Sequence, residues 1–121
     1  MPLVPFEEME VFKKAYRLSL EVHRKSMDFP KVEQFALADQ VRRASKSICA
    51  NLAEGSAKQS YSKAEFRRFV HTALGSAEEM RVWIRYCRDL GYIDEATWRR
   101  WRDAYRGIAR MLNALQGKIE V

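Results

Sequence analysis

Gln40 to Gly55, QVRRASKSICANLAEG, is the stretch whose reading decides the fold. Val41, Ala44, Ser45, Ile48 and Leu52 recur at steps of three and four, which places them on one face of a helix. A polar stripe runs beside them through Gln40, Arg43, Ser47, Asn51 and Glu54 at the same steps. Small residues (Ala44, Ser45, Ser47, Ala50, Ala53) dominate, so neighbouring helices can approach closely. Gly55 is expected to end the helix as a left-handed C′ residue, a conformation that glycine adopts without steric cost.

Outward from this helix, the chain reads as three more. Helix one is predicted from Phe6 to Met27, after a short extended lead at Met1 to Pro5. Its inward face is Val11, Ala15, Leu18 and Val22. Glu7, Glu8 and Glu10 crowd its start and Arg24 and Lys25 its end, as the helix dipole favours. Asp28-Phe29-Pro30 breaks it, because the residue before a proline avoids the helical region. Helix two is predicted to begin between Lys31 and Glu33 and to end at Glu54. After a polar turn from Ser56 to Tyr61, Ser62 and Glu65 have the spacing of a capping box. Helix three, about 28 residues, carries Phe66, Val70, Ala73, Ala77, Met80, Ile84 and Cys87 in alternating steps of four and three. That is a heptad seam for shallow-angle packing. Gly91 stops it and Asp94 caps helix four, where Trp98, Trp101, Tyr105, Ile108, Leu112, Leu115 and Ile119 repeat the stepping. Gly107, in the middle of helix four, should cost about 1 kcal/mol relative to alanine, and a close helix contact there would explain it. Four amphipathic helices with short connections predict an all-α, antiparallel up-down-up-down four-helix bundle, one domain over residues 1–121.

Composition agrees with a globular chain. Hydrophobic residues make up 47% and charged residues 31%, and only three prolines interrupt the helices. A chain of 121 residues buries roughly two thirds of its unfolded surface, enough for a core without staples. No apolar run approaches the roughly 20 residues of a membrane span, and MPLVPFEEME lacks the pattern of a signal peptide. Cys49 and Cys87 sit in helical patterns as apolar fillers, so reduced thiols and a cytoplasmic location are expected.

Several segments carry a resemblance beyond pattern. The run Gln40-Val41-Arg42-Arg43-Ala44, then Ser47-Ile48, then Asn51-Leu52-Ala53-Glu54-Gly55, resembles the signature of the 23S rRNA-intervening-sequence proteins. The opening Phe6 to Ala15, the Phe29-Pro30 step, Glu65-Phe66 with Phe69, Ala73 to Glu78 and Leu90-Gly91-Tyr92 fit the same pattern in order and spacing. The chain departs from it at Cys49, where the family often has proline, and in a helix four rich in tryptophan and arginine. That family is similar to the Avd accessory proteins of diversity-generating retroelements. The resemblance implies a four-helix bundle, assembly into pentamers, and an accessory role beside a reverse transcriptase or an origin in an rRNA intervening sequence.

The sequence offers little chemistry. His23 and His71 stand apart from any metal-ligand spacing, no glycine loop cradles phosphate, and a thiol on an apolar face is inert. No catalytic, cofactor or metal residue is assigned, and a non-enzymatic protein is expected. The polar stripe Gln40, Arg43, Ser47, Asn51, Glu54 is read as register-fixing in preference to ligand-binding.

Charge points to a partner. Lys plus Arg is 22 against 16 for Asp plus Glu, a net +6. Arg99, Arg102, Arg106 and Arg110 form one stripe of helix four, and Arg67, Arg81, Arg85 and Arg88 flank helix three. Arginine forks suit phosphate oxygens, so these eight are the candidate contacts for RNA or a nucleoprotein. The tryptophans fall on the apolar side, so no exposed aromatic platform for base reading is expected. Phe69, Val82, Trp83, Tyr86 and Leu90 exceed what one seam can bury and are the candidate subunit interface of a homo-oligomer. The competing reading is a helix-turn-helix DNA regulator built on helices two and three. Its weakness is a long linker and a helix three far longer than a recognition helix.

Overall fold

The structure is a computed structural model that describes residues 4–120. Met1–Leu3 of the expected extended lead, and Val121, lie outside the described residues. Four α-helices follow in order: α1 (Glu10–Ser26), α2 (Leu37–Ser56), α3 (Lys63–Asp89) and α4 (Glu95–Lys118). Short 3-10 turns at Phe6–Glu8 and Lys31–Glu33 precede α1 and α2. Among the described residues there is no strand.

Cross-helix contacts fix the topology. Ser47 of α2 meets Ser76 of α3, while Gly55, later in α2, meets Phe69, earlier in α3. His71 faces Gln116 across α3 and α4, and Arg88 lies over Trp98. Glu21 of α1 receives Trp101 Nε1 and Arg100 of α4, whereas Lys14 lies over Gly107. Ser26 near the end of α1 meets Arg42 near the start of α2. Each neighbouring pair therefore runs antiparallel, and α4 closes back on α1. The predicted seams are the core. All seven α3 seam residues are buried, as are Val11, Ala15, Leu18 and Val22 of α1 and Val41, Ala44, Ser45, Ile48 and Leu52 of α2. Of the fourth seam, Trp98 and Leu115 are half-buried, Trp101, Tyr105, Ile108 and Leu112 are buried in α4, and Ile119 is buried just past its end.

Several local expectations need correction. Met9, with φ −71° and ψ 126°, is extended and separates the first 3-10 turn from α1, so Glu10 alone of the three glutamates stands in the first turn of α1. Helix two starts at Leu37, after Ala36 bends the chain at φ −124° and ψ −106°. Gln34 holds that bend by donating to the carbonyls of Ser26 (3.0 Å) and Phe29 (2.9 Å).

Gly55 is not a C′ stop. It lies inside α2, which continues to Ser56 and leaves through right-handed turns. Its role is close approach, because a Cβ there would stand 2.8 Å from the Cβ of Phe69. The capping box is half-formed. Ser62 Oγ accepts from Glu65 N at 3.2 Å, but the Glu65 carboxylate turns to Arg68 and the Ser62 N–H goes to Lys58 O. At Gly107 the close helix contact is with the flexible Lys14 side chain of α1, whose Nζ would stand 2.6 Å from a Cβ there. Gly91 does stop α3 at φ +79°, with Tyr92 N donating to Cys87 O at 2.8 Å, and Asp94 caps α4 by accepting from Thr97 N at 2.8 Å.

Candidate nucleic-acid interface

The antiparallel register of α3 and α4 brings arginines of both helices to one groove of about 340 Å³. Arg81 and Arg85, one turn apart on α3, face Arg102 and Arg106, one turn apart on α4, with Glu78, Val82, Ile84 and Trp98 completing the lining. Arg88, near the end of α3, stacks on the Trp98 ring of the groove wall, its guanidinium 3.9 Å from the ring centre. Arg102 lies over that ring as well, at 4.7 Å.

Carboxylates only partly neutralise the groove. Glu78 pairs with Arg81 (3.0 Å), Asp89 with Arg88 (2.8 Å), and Asp103 with Arg102 (3.0 Å) and more distantly Arg106 (4.0 Å). Among the described residues no carboxylate lies within 4.0 Å of Arg85. Four lining guanidinium groups against the carboxylates of Glu78 and Asp103 leave two positive charges at the surface, where such pairs are individually weak.

The other three predicted arginines stand apart. Arg67 lines a separate depression with Arg68, His71 and Gln116, beside the end of α4. Arg99 pairs with Glu95 on the solvent face, and exposed Arg110 lies one turn beyond Arg106, outside the groove lining. Trp98 does not simply join the core as its seam position suggested. It is half-buried in the groove wall, and its Nε1 is buried without a partner among the described residues.

The polar stripe of α2 divides. Ser47 Oγ meets Ser76 Oγ at 2.9 Å, and Asn51 Nδ2 donates to Ser47 O (2.8 Å) and Oγ (3.0 Å). The Ser47–Ser76 bond ties α2 to α3, and Asn51 supports Ser47 from within α2. Gln40, Arg43 and Glu54 are exposed, with Arg43 reaching Asp39 at 3.7 Å. The stronger polar device is Arg42, which the stripe passes over. It donates to Ser26 Oγ (2.8 Å), Gln34 Oε1 (3.2 Å) and Gln34 O (2.8 Å), fastening the α1–α2 connection. Its signal in the sequence was its place between the two stripes, which gave no hint of a partner eight residues back.

Of the proposed interface residues, Val82, Tyr86 and Leu90 are about half exposed along one line of α3. Trp83 is half-buried and donates to Glu79 Oε2 at 2.8 Å, and Phe69 lies half-buried beneath Arg68. Three exposed aromatic residues were missed. Phe35, 97% exposed, projects from the α1–α2 connection, Tyr61 from the α2–α3 turn, and Tyr16 from α1.

The thiols are free, Cys87 buried and Cys49 half-buried. Burial pushes Cys49 up to about 11 and Cys87 up to about 12. His23 meets Lys46 Nζ at 3.0 Å, and desolvation, then Lys46, Arg42 and Arg24, lower its pKa. Among the described residues no three His, Cys, Asp or Glu side chains gather as a metal site, and no helix is long and apolar enough to cross a membrane.

The family model for 23S rRNA-intervening sequence proteins matches residues 7–114, from the turn before α1 into the last turns of α4. The chain belongs to this family. A solved structure of a protein of unknown function from the S23 ribosomal protein family of Bacteroides thetaiotaomicron shares the fold. Its TM-score is 0.79 at 21% identity, over 89% of this chain and 96% of that one. A search of curated proteins finds no match.

Proposed function

We propose that this member of the 23S rRNA-intervening sequence family is a non-enzymatic, self-assembling bundle that binds RNA, alone or within a nucleoprotein. The observation that carries the proposal is the α3–α4 groove, where Arg81, Arg85, Arg102 and Arg106 converge from two helices with an excess of positive charge, and Arg88 stacks on Trp98 in its wall. Guanidinium forks on both walls of a groove match a run of phosphate oxygens. The resemblance to retroelement accessory proteins makes a reverse transcriptase complex a nucleoprotein of the right kind. It also gives the proposed stoichiometry, a pentamer. A helix-turn-helix reading has less support, since the 27-residue α3 buries a seam along its whole length and lies between α2 and α4.

The test is anisotropy of labelled RNA against protein at 50 to 200 mM salt, a span over which phosphate-driven binding falls by roughly 10³-fold or more. Arg81, Arg85 and Arg106 replaced together by glutamine are expected to weaken binding and flatten the salt slope with helicity unchanged. Parent-like affinity and slope in this variant would remove RNA from the proposal.

A further inference from the structure

Two identical dipeptides, Arg88-Asp89 and Arg102-Asp103, meet at Trp98 from different helices. In each, the arginine spends its Nε on the aspartate that follows it, at 2.8 Å for Arg88 and 3.0 Å for Arg102. In each, the guanidinium lies over the indole of Trp98. Among the described residues the terminal nitrogens of both side chains make no hydrogen bond. Both side chains are about 70% buried, deep for arginine. Arg102 lines the groove with Arg81, Arg85 and Arg106, and Arg88 lies on the Trp98 ring that forms part of its wall.

Arginine ordinarily loses much rotamer freedom when it grips a ligand. Here the ring and the aspartates have already ordered both forks before any ligand arrives. Such preordering lowers the cost of binding. The terminal edge of a guanidinium is the edge that takes two phosphate oxygens at once.

We propose that Trp98 is a positioning residue for a phosphate clamp. It holds Arg88 and Arg102 so that their terminal nitrogens grip a phosphodiester of the RNA backbone. This deepens the RNA reading above and rests on it. The ligand is a polymer backbone because Arg81, Arg85 and Arg106 continue the cationic lining beyond the clamp, further than one phosphate reaches. The bases are not read at Trp98, since guanidinium groups occupy the place over the ring where a base would stack.

The experiment uses the full chain, fluorescein-labelled single-stranded RNAs of uridine or adenosine only, and Trp98→Leu, Trp98→Phe and Arg88→Lys/Arg102→Lys variants. Trp98→Leu keeps apolar bulk but removes the ring face. It is expected to weaken RNA binding about tenfold, the scale of two lost cation–π contacts, and to reduce the salt slope by about 0.7, one phosphate contact. Trp98→Phe restores most of the affinity. The double lysine variant keeps the charge and loses the planar fork, and it weakens binding like Trp98→Leu even if that variant folds poorly. The uridine and adenosine RNAs bind alike, and polyphosphate competes far better than inorganic phosphate or a mononucleotide.

Parent-like binding by Trp98→Leu or by the double lysine variant overturns the clamp, as does a phenylalanine variant no better than leucine. A tenfold base preference in the parent, or equal competition by inorganic phosphate, overturns it too. In all those cases the RNA reading survives if replacing Arg81, Arg85 and Arg106 still weakens binding. A parent that binds no RNA removes both.

Discussion

Gly55 and Phe69 pack so closely that a Cβ on the glycine would stand 2.8 Å from the Cβ of the phenylalanine. That atom cannot swing away, and the Phe66 carbonyl oxygen, at 3.3 Å, blocks the other side. Gly55→Ala should therefore destabilise the bundle, by up to about 2 kcal/mol. Overpacking costs of about 1–3 kcal/mol outweigh the roughly 1 kcal/mol that alanine gains in helix propensity. Gly75, also helical, has open space where its Cβ would go. Gly75→Ala should stabilise by about 0.5–1 kcal/mol. Urea unfolding of the two variants checks the pair, and changes of the same sign would contradict the packing account.

The start of α3 depends on one hydroxyl. Ser62 Oγ accepts from Glu65 N, and Glu65 is occupied by Arg68. Ser62→Ala should cost about 1 kcal/mol, the ordinary value of an N-cap. Glu65→Gln should change stability much less, because the reciprocal half of the box is absent and the Glu65–Arg68 pair lies at the surface. Thermal unfolding of both variants measures the difference.

The seams, the Ser62 and Asp94 caps and the Gly91 stop were legible because each is set within a few residues by periodicity or backbone conformation. Gly55 was misread because its neighbour Phe69 is 14 positions away, and a glycine needed for close approach looks like one needed for positive φ. The start of α2 was misplaced for a related reason, since the Arg42–Gln34–Ser26 bonds that hold the connection are tertiary. Arginine stripes could be read on single helices. Which arginines share a groove depends on the α3–α4 register, and this separated Arg67, Arg99 and Arg110 from the rest. Trp98 satisfied the seam pattern yet lies at its edge, where the same spacing serves both core and groove.

Both thiols should resist alkylation in the native state. Free cysteine titrates near 9, while burial holds Cys49 at about 11 and Cys87 at about 12. At pH 8 the reactive thiolate of Cys49 is about a hundredfold scarcer than in an unfolded chain. Iodoacetamide labelling followed by mass spectrometry should show slow modification of native protein and two rapid additions in urea. Fast native labelling of Cys87 would mean that the α3 seam opens readily.

His23 gives stability a mild pH dependence. Desolvation and the neighbouring cations Lys46, Arg42 and Arg24 disfavour its protonated form in the fold. The unfolded chain therefore takes up a proton first, as pH falls below the ordinary value of 6.5. Stability is full above that value and declines below it until the folded-state pKa is passed. Melting temperatures at pH 7.5 and 5.5 should differ more for the parent than for His23→Gln. The difference is small because the ring is near the surface, and an equal pH response in both proteins would discharge His23 from this role.

Assembly is the last expectation, and α3 supplies its surface. Val82, Tyr86 and Leu90 are 50, 54 and 52% exposed at successive four-residue steps, so they form one apolar line on an otherwise charged exterior. Phe35 adds a projecting ring at the end of the bundle where Leu90 lies, since Glu33 of the same connection bonds Tyr92 just past α3 at 2.7 Å. Contiguous apolar surface of this kind marks contact sites. Light scattering at micromolar concentration should give a multiple of the chain mass, five under the proposal above. Tyr86→Glu with Leu90→Glu should shift the protein to monomer without loss of helicity, because neither side chain belongs to the buried core. A monomeric parent would sink the assembly, and a dimer or hexamer would sink only the number. Val82 also lines the arginine groove, so the apolar line and the cationic lining border one another on α3. A ring of copies would then set several grooves at fixed spacing, and linked weak sites bind a polymer about 10²-fold or more better than one. The monomeric double variant, with every groove arginine intact, should therefore lose affinity for long RNA while binding a short RNA that fills a single groove as the parent does. Equal loss on both lengths would show that the substitutions act on the groove itself.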